Sequence, residues 1–430
     1  MAAELDSADI VVVGAGAAGL WVAEVAARAG RSVLVLEKTP RTGTKVLASG
    51  GTRCNLTTTL GPVEAARLFG PKGERFLRHA FEVLPPLAVR ERFRALGVES
   101  EEAPLEKVFP RSGNARDVRD ALERAARGAG ARILLDTPVT AVEPAALGFA
   151  LRVGGDRVVH GRRVVLAAGG MSYPRTGTTG DAYAWLAALG LKVVPPVPAL
   201  APLTSPAAWS RDLVGIAWQA GEVGLFDPRG KQLARRRRPI VFSHAGVSGP
   251  GAMDVAVHVA RTEEPGLELR VDLLPDVSRE VLRDALVTAA SQPGAPRLDR
   301  ALAGVLGERL PEVLPRRLFE ALLRQAGMAV SEAGPPRANG LDRATRHGLV
   351  EALRGLRVPV DGTEGFDKAE VTAGGLELRA VDPRSMAVNA VPGLFVIGEL
   401  LDVDGPIGGL SFQAAWATAE VAGRALAGEG

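Results

Sequence analysis

Glycine residues at positions 14, 16 and 19 form the pattern G-x-G-x-x-G directly after an apolar run. Such glycines allow a tight turn, the close approach of a phosphate group and the packing of a helix against a sheet. Glu37 follows the next apolar run, where a carboxylate can accept hydrogen bonds from ribose hydroxyls. This combination predicts a binding site for an adenine dinucleotide.

Three elements must position these residues. The apolar run at residues 10–13 predicts a strand that is buried on both faces. An Ala-rich helix is expected at about residues 17–29, with Gly30 at its end, and a second strand at residues 32–36. The N-terminus of this helix would attract the pyrophosphate of the dinucleotide.

The composition indicates a globular protein. The chain has 430 residues, of which 47% are hydrophobic and 23% are charged. No apolar run approaches the ~18 residues of a membrane span, and the polar start does not resemble a signal peptide, so a cytoplasmic protein without a membrane partner is expected. The single cysteine, Cys54, excludes a disulfide framework and a metal site built from cysteines, and no metal is expected.

The remainder of the chain changes character twice. Residues 38–59 predict a Gly/Ser/Thr/Asn-rich loop that offers backbone N–H groups to a ligand. Helical periodicity follows at 76–96 and 115–127, and a hairpin is expected at Gly154-Gly155. Short strands dominate from about 196 to 276, and helices dominate from 278 to 355. Strands are then expected at 356–360, 368–372 and 394–397, followed by a C-terminal helix that starts near Gly409.

Several longer motifs resemble those of a known family. They are VVVGAGAAGL, KVLASGGTRCNLT, LAAGGMSYPRTGTTGDAY, FSHAGVSGPGAM, VTAGGLELRAVDPRSM and FVIGELLDVDGPIGGLSFQAAW. The chain resembles bacterial flavoproteins known as NAD(FAD)-utilising dehydrogenases, which include BaiN-like, YhiN-like and aminoacetone-oxidase-like members. The resemblance implies an α/β fold: a Rossmann-like, two-dinucleotide-binding-type FAD domain with a parallel central sheet, an inserted antiparallel β-barrel and a small helical domain.

The domain boundaries follow from this fold and from the changes in pattern. Residues 1–195 and 373–430 are expected to form the FAD-binding domain. Residues 196–276 and 356–372 would form the β-barrel substrate domain, and residues 277–355 the helical insert. A small-molecule substrate is expected between the FAD-binding domain and the barrel.

The resemblance also implies which residues bind FAD. Residues 49–51, Arg53 and Asn55 would line the pyrophosphate and the flavin, and Val139 would offer its backbone to the adenine. Residues 168–170 would lie beside the adenosine, and residues 398–399 would lie along the ribityl chain. Residues 408–409 would lie under the pyrimidine end of the flavin ring. The full set is Gly14, Gly16, Ala17, Ala18, Gly19, Glu37, Lys38, Lys45, Ser49, Gly50, Gly51, Arg53, Asn55, Val139, Ala168, Gly169, Gly170, Gly398, Glu399, Asp404, Gly408 and Gly409.

The sequence departs from the usual family pattern at three places. Thr52 stands where a glycine is frequent, Pro406-Ile407 interrupts the last glycine loop, and Ser411-Phe412 replaces Tyr/Asn-type residues. These departures leave FAD binding expected but do not carry over a family member's substrate.

Two features bear on the electron chemistry. The N-terminus of the helix near Gly409 would stabilise the negative charge of a reduced flavin. A second strand–GxGxxG–helix is missing from the sequence, because the glycines at 246, 249 and 251 have different spacing. NAD(P)H is therefore expected at most as a transient electron donor.

Three residues are candidates for catalysis. Tyr173 could donate a proton, stack near the flavin or simply pack its loop; Arg53 could contact flavin or substrate, or hold its loop. His244 lies in a Gly/Ser loop and is the acid/base candidate among the histidines, against a structural role. Cys54 is expected to be a buried structural thiol, and Asp181 is expected to cap a helix.

These observations predict an FAD-dependent oxidoreductase that transfers a hydride between flavin and a small or medium organic substrate. The sequence leaves open whether it is a BaiN-like reductase or an aminoacetone-oxidase-like oxidase. One alternative is an RNA-modifying flavoprotein that uses the arginines at 235–238, although the net charge of +3 does not favour nucleic acid. Another alternative is a non-catalytic flavin-binding scaffold.

Overall fold

The computed structural model describes residues 7–155, 157–294, 296–310, 314–330 and 334–428. The chain forms two compact units, residues 1–198 with 366–430, and residues 199–365. The finer division of the inserted segment into a barrel and a helical domain stays a prediction. None of the helices in the described part of the chain has both the length and the apolar character that a membrane span requires.

The central sheet of the first unit has seven strands: β1 (Ser7–Val13), β2 (Val33–Leu36), β6 (Arg132–Leu134), β7 (Val139–Ala145), β8 (Gly148–Val153), β9 (Arg157–Leu166) and β21 (Leu394–Val396). Their order is β6-β2-β1-β9-β8-β7, with β21 paired to β9. Strands β1, β2, β6, β9 and β21 run parallel, whereas β7, β8 and β9 form an antiparallel meander. The parallel sheet and the glycine turn after β1 confirm the Rossmann-like prediction.

Strand β9 pairs with β1 along one edge and is long enough to pair with two further strands along the other. Its first half, from Arg157 to Gly161, pairs with β8, and its second half, from Val164 to Leu166, pairs with β21. A strand near the C-terminus therefore completes the sheet that the N-terminus begins. The apolar residues of β1 are fully buried there, which explains the unbroken β-branched run in the sequence.

Smaller sheets and helices cover the central sheet. A three-stranded sheet contains β3 (Thr57–Thr58), β4 (Ser100–Ala103) and β5 (Lys107–Pro110), and β10 (Val193–Ala199) pairs with β20 (Val371–Leu376). The helices of this unit are Ala17–Arg28, Thr44–Ala48, Pro62–Arg67, Gly70–Val83, Pro86–Ala95, Ala115–Gly128, Asp181–Ala188 and Leu410–Ala427. We refer to Ala17–Arg28 as the first helix and to Leu410–Ala427 as the last helix.

The first and last helices pack in parallel. Trp21 donates to Glu420 at 2.8 Å, and the rings of Trp21 and Trp416 are 5.3 Å apart. Farther along, Gly423 lies against Val25, and Arg31 donates to the Ala427 carbonyl at 2.9 Å. Residue numbers rise together along the contact, so both N-termini lie at the same end of the sheet.

The second unit contains two antiparallel sheets. The strands of these sheets are β11 (Leu203–Thr204), β12 (Ala217–Trp218), β13 (Glu222–Phe226), β14 (Gln232–Arg237), β15 (Ile240–Phe242), β16 (Gly246–Ser248), β17 (Leu267–Asp272), β18 (Leu356–Val360) and β19 (Gly362–Thr363). Five of them form one sheet in the order β12-β15-β16-β11-β19, and the other four form the second sheet in the order β14-β13-β17-β18. Its helices are Ala208–Arg211, Pro250–Met253, Ala256–Ala260, Arg279–Ala290, Leu298–Leu306, Arg316–Gln325 and Arg343–Leu353.

Two sequence predictions about elements need correction. The segment after Glu37 is not all loop, because Thr44–Ala48 is helical and Thr57–Thr58 pairs with β5. The strand expected at 368–372 starts later, at Val371, and continues to Leu376. Tertiary pairing explains this shift, since Gly374 has a φ of +94° and lies against the Pro195 carbonyl of β10.

Candidate functional site

In the glycine turn after β1, two of the three glycines lie against backbone atoms, and the third faces open space. A Cβ at Gly14 would lie 2.6 Å from the Ala167 carbonyl oxygen, and one at Gly19 would lie 1.9 Å from the Gly14 carbonyl oxygen. A Cβ at Gly16 would meet nothing within 4 Å. The first and third glycines are thus required by the fold, whereas the space beside Gly16 can receive a ligand.

Glu37 lies beside this turn and holds it. One carboxylate oxygen accepts from the Ala15 amide at 2.7 Å, and the other accepts from the amide and hydroxyl of Thr39 at 2.9 and 2.8 Å. A carboxylate offers about four acceptor positions, so it can still accept from a ribose hydroxyl.

Both helices that meet this end of the sheet begin without a side-chain cap. Gly16 precedes the first helix and Gly409 precedes the last helix, and in the described part of the chain no side chain caps either one. The free N–H groups and the parallel helix dipoles make this end of the sheet electropositive. Gly409 is required by the fold, since its φ is +80° and a Cβ would lie 2.0 Å from the Thr57 carbonyl oxygen.

The segment 49–55 leads to the start of the last helix. Gly50 and Gly51 adopt φ values of +55° and +65°, and Asn55 Oδ1 accepts from the Val108 amide at 3.0 Å. The Arg53 guanidinium lies 4.1 Å from the centre of the Phe109 ring. This contact favours a loop-holding role for Arg53. The neighbouring Cys54 is fully buried, and this burial raises the pKa of its thiol to about 12, as expected for a structural cysteine.

A polar cluster joins four distant parts of the first unit. We call Lys45, Ser172, Thr372 and Glu399 the Glu399 cluster. Glu399 accepts from the Lys45 ammonium at 2.5 Å, from the Ser172 hydroxyl at 3.0 Å and from the Thr372 amide at 2.8 Å. The Ser172 and Thr372 hydroxyls are 2.8 Å apart. Glu399 therefore fixes the position of a partly accessible ammonium group.

Tyr173 follows the cluster and has an unusual backbone. Its φ is +53°, and its amide donates to the Phe366 carbonyl at 3.0 Å. Burial and the nearby Glu370 carboxylate both raise the pKa of Tyr173. The phenol therefore keeps its proton well above neutral pH.

A second tyrosine, Tyr183, was not expected from the sequence. Its hydroxyl is buried without a hydrogen-bond partner among the described residues. Burial, together with the charges of Glu399 and Asp402, raises the pKa of Tyr183. Sequence reasoning also missed Ser172, Thr372 and Glu370, although Ser172 and Thr372 stand inside the family-like motifs.

The other predicted cofactor residues lie in the first unit. Ala17 and Ala18 form the first turn of the first helix, and a Cβ at Gly398 would lie 3.2 Å from the Ala18 Cβ. Ala168, Gly169 and Gly170 follow β9, where Gly170 lies against Thr372. The remaining members have individual settings: Val139 starts β7, Asp404 makes contacts within the protein, Gly408 has a φ of +144°, and Ser49 donates to the Val46 carbonyl at 2.7 Å.

Asp181 does not cap its helix, so that prediction was wrong. Gly180 occupies the N-cap position, and the Asp181 carboxylate instead accepts from Lys38 at 2.6 Å and from Thr179 at 2.7 Å. These two donors lower the pKa of Asp181 and outweigh its partial burial. Lys38 is thereby tied to the loop that follows Tyr173.

The remaining candidates lie in the second unit. His244 is exposed in the loop between β15 and β16. Among the described residues no group of His, Cys, Asp and Glu side chains could hold a metal ion.

The arginines at 235–238 form the end of an edge strand in this second unit. Arg235 pairs with Glu222 at 2.6 Å, and Arg237 pairs with Asp276. Arg236 and Arg238 lie 4.0 and 3.8 Å from the buried Asp254 carboxylate. Acidic partners therefore offset much of the charge of this arginine cluster.

The residues at the glycine turn fit an adenine dinucleotide. Open space beside Gly16, two uncapped helix N-termini and a carboxylate with remaining acceptor capacity match a pyrophosphate and a ribose. The parallel pairing of the two helices supplies both N-termini at one end of the sheet.

Two relatives cover nearly the whole chain. It is 32% identical over 423 residues to the 3-dehydro-bile acid delta(4,6)-reductase of Clostridium scindens, covering 97% of this chain and 98% of that protein. It is 29% identical over 411 residues to the ribosomal RNA dihydrouridine synthase of Escherichia coli, covering 96% of each.

Solved structures show the same fold. The 3-ketosteroid-delta4-(5alpha)-dehydrogenase of Rhodococcus jostii matches with a TM-score of 0.54 and 18% identity, over 98% of this chain and 97% of that one. The 3-ketosteroid delta1-dehydrogenase of Sterolibacterium denitrificans matches with a TM-score of 0.52 and 16% identity, over 99% of this chain and all of that one.

The description "HI0933-like protein Rossmann domain" applies to a family model that matches residues 8–425. The match spans both compact units and nearly all of the described chain. The protein is an oxidoreductase of the FAD-dependent kind, built on a Rossmann-like FAD-binding domain. The chain belongs to the family of HI0933-like Rossmann-domain proteins.

Proposed function

We propose that this chain is an FAD-dependent reductase that saturates a carbon–carbon double bond conjugated with a carbonyl group. The observation that carries the proposal is the parallel pairing of the first and last helices. It brings two uncapped helix N-termini to the carboxyl end of β1, where one dinucleotide can use both.

The names of the relatives support this substrate class. The Clostridium scindens protein is named for reducing double bonds of a 3-dehydro-bile acid, and the Escherichia coli protein for making dihydrouridine. In both reactions a ring double bond polarised by a carbonyl group becomes saturated. Such a bond accepts a hydride at one carbon and a proton at the other.

Each part of the site has a task in this proposal. Bound FAD would supply the hydride, which no side chain can provide. The amides near Gly16 would hold the pyrophosphate, those near Gly409 would balance the negative charge of the reduced flavin, and Glu37 would accept from the ribose. The Lys45 ammonium, fixed by Glu399, would attract negative charge that develops on the substrate carbonyl.

Tyr173 is the proposed proton donor. Its phenol stays protonated at neutral pH because burial and Glu370 raise its pKa. Its Oη would give the proton to the substrate carbon beside the carbonyl group, while the hydride goes to the other alkene carbon. Arg53 is not assigned a step, because its guanidinium packs on Phe109. His244 stays the acid/base candidate that the sequence names.

The first experiment uses the FAD-loaded protein, reduced with dithionite and mixed without oxygen with a steroidal enone. We expect the flavin absorbance to return while the enone absorbance disappears. A parallel assay with NADPH and NADH tests a nicotinamide as the transient electron donor. If an amine substrate reduces the flavin, and oxygen but never an enone reoxidises it, the chain is an oxidase and the proposal is wrong.

A uridine in ribosomal RNA is the second candidate substrate, favoured by the names of the Escherichia coli and Haemophilus influenzae relatives. The test gives the reduced protein a ribosomal RNA fragment in place of the enone and measures dihydrouridine. If RNA is the substrate, exchanging the exposed Arg235 and Arg237 for glutamine should weaken RNA binding and reduce its salt dependence. Enone reduction without dihydrouridine formation would reject this candidate.

A further inference from the structure

Two segments of the first unit lie side by side, and one of them carries the acidic residue Glu370. The Tyr173 amide donates to the Phe366 carbonyl at 3.0 Å, and the Met171 amide donates to the Thr372 hydroxyl at 2.8 Å. A Cβ at Gly170 would lie 2.4 Å from the Thr372 hydroxyl, so the two segments are in close contact. In the sequence, Glu370 lies between Phe366 and Thr372, the two residues that accept these hydrogen bonds.

Glu370 lies outside the core. It directly precedes β20 and is exposed, whereas Ala369 and Val371 on either side are 0% and 5% exposed. Glu370 itself is accessible to solvent, yet it lies near the phenol of Tyr173. It can therefore exchange protons with water on one side and interact with Tyr173 on the other.

We propose that Glu370 returns to Tyr173 the proton that Tyr173 donates to the substrate. This inference rests on the proposed function. Bound FAD in its reduced form would supply the hydride for one new C–H bond and would be left oxidised, and the alkene electron pair would move to the carbonyl as an enolate. The Tyr173 Oη–H bond breaks as the second C–H bond forms, and the Glu370 carboxylic acid then reprotonates the phenolate. Water restores the proton of Glu370, which acts through Tyr173 and is thus a positioning residue.

The charges around Glu370 agree with this role. Although its side chain reaches solvent, surrounding protein atoms desolvate the carboxyl and raise its pKa, while Lys107 and Lys45 act to lower it. Lys45 is itself paired with Glu399. A raised pKa keeps more of Glu370 in the acid form near neutral pH, where it can donate.

The first test measures the link between Glu370 and Tyr173 directly. The chain has two tyrosines, so the FAD-loaded protein labelled with carbon-13 at the phenol carbon gives two titrating NMR signals, and Tyr173→Phe assigns them. We expect Glu370→Gln to lower the titration midpoint of Tyr173 and to leave that of Tyr183 in place. The matched control is Asp367→Asn, which removes an exposed carboxylate from the same segment and should leave Tyr173 unchanged.

The second test measures the pH dependence of enone reduction over repeated turnovers, because Glu370 would act only after Tyr173 has given its proton to the substrate. In the original protein the rate should fall as the pH rises through the pKa of Glu370, because the acid form is lost. Glu370→Gln should slow the reaction by about tenfold or more and remove this limb of the profile. Asp367→Asn should keep both the rate and the profile.

The two tests separate the inference from the proposed function. An unchanged Tyr173 midpoint and an unchanged pH profile in Glu370→Gln, with enones still reduced, would overturn the role of Glu370 alone. Failure of the original protein to reduce any enone would overturn the proposed function and, with it, the catalytic use of this pair.

Discussion

Gly16 and Gly19 belong to one motif, but the structure gives them opposite surroundings. A side chain at Gly19 would collide with the Gly14 carbonyl, whereas one at Gly16 would enter open space. Gly19 is therefore needed for folding, and Gly16 is needed for the ligand. The sequence pattern alone does not separate these two requirements.

This difference predicts unlike effects of two substitutions. Gly16→Ala should cost about 1 kcal/mol or less in stability, since its φ of −78° suits alanine. It should weaken FAD binding by about tenfold or more, which is about 1.4 kcal/mol, because its Cβ fills the space for the pyrophosphate. FAD titration and thermal unfolding of the apoprotein measure the two quantities.

Gly19→Ala is the matched control for that experiment. Its Cβ would lie 1.9 Å from a backbone oxygen that cannot move freely, so we expect a loss of about 3 kcal/mol or more. A stable Gly19→Ala protein, or a Gly16→Ala protein with unchanged FAD affinity, would contradict the assignment of the open space.

At the scale of the element, the two parallel helices are joined by close packing. Gly423 of the last helix lies against Val25 of the first, and a Cβ at Gly423 would come within 2.6 Å of a Val25 methyl group. The buried bond from Trp21 to Glu420 fixes the same register. The alignment of the two N-termini therefore depends on small residues and on one buried hydrogen bond.

A pair of Gly→Ala substitutions tests this packing. Gly423→Ala should destabilise the protein by about 1–3 kcal/mol, because the helices must move apart. Gly304→Ala, in the middle of another helix with nothing within 4 Å of its Cβ, should instead stabilise it by roughly 0.5–1 kcal/mol. Thermal unfolding of the FAD-free proteins measures both changes in stability. A Gly423→Ala protein with unchanged stability would refute the close contact.

At the scale of the whole molecule, the first unit is built from the two ends of the chain. Strand β21 and the last helix come after the inserted residues 199–365, yet they complete the central sheet and its helical cover. Without them, the second half of β9 loses a partner, and Trp21 loses both Trp416 and Glu420.

Cutting the chain in two ways should therefore have different consequences. A chain that stops at Gly365 should fail to bind FAD and should aggregate, because the exposed core of the first unit has no cover. A full-length chain that is cleaved at an engineered protease site after the exposed Gly327 keeps both segments and should stay yellow. FAD content after size-exclusion chromatography compares the two, and a yellow truncated protein would contradict this arrangement.

Within single elements, the sequence by itself determined the strand–turn–helix around Gly14, the helix at residues 115–127, the hairpin before β9 and the last helix. These features arise from neighbouring residues, whose spacing sets hydrophobic periodicity, turns and caps. The side-chain bond of Asn114 to the Arg116 amide at 3.0 Å is such a local feature. The same local cues misplaced Asp181, because a contact with distant Lys38 competes with the cap.

Only the tertiary structure decided which distant groups meet. Lys45 and Glu399 are separated by 354 positions, and Ser172 and Thr372 by 200, so no local pattern links them. The pairing of β21 with β9 and of β20 with β10 brings these loops to one end of the sheet. The charge of Glu370 acts on Tyr173 because hydrogen bonds of residues 171 and 173 to residues 372 and 366 bring together segments that are far apart in the sequence.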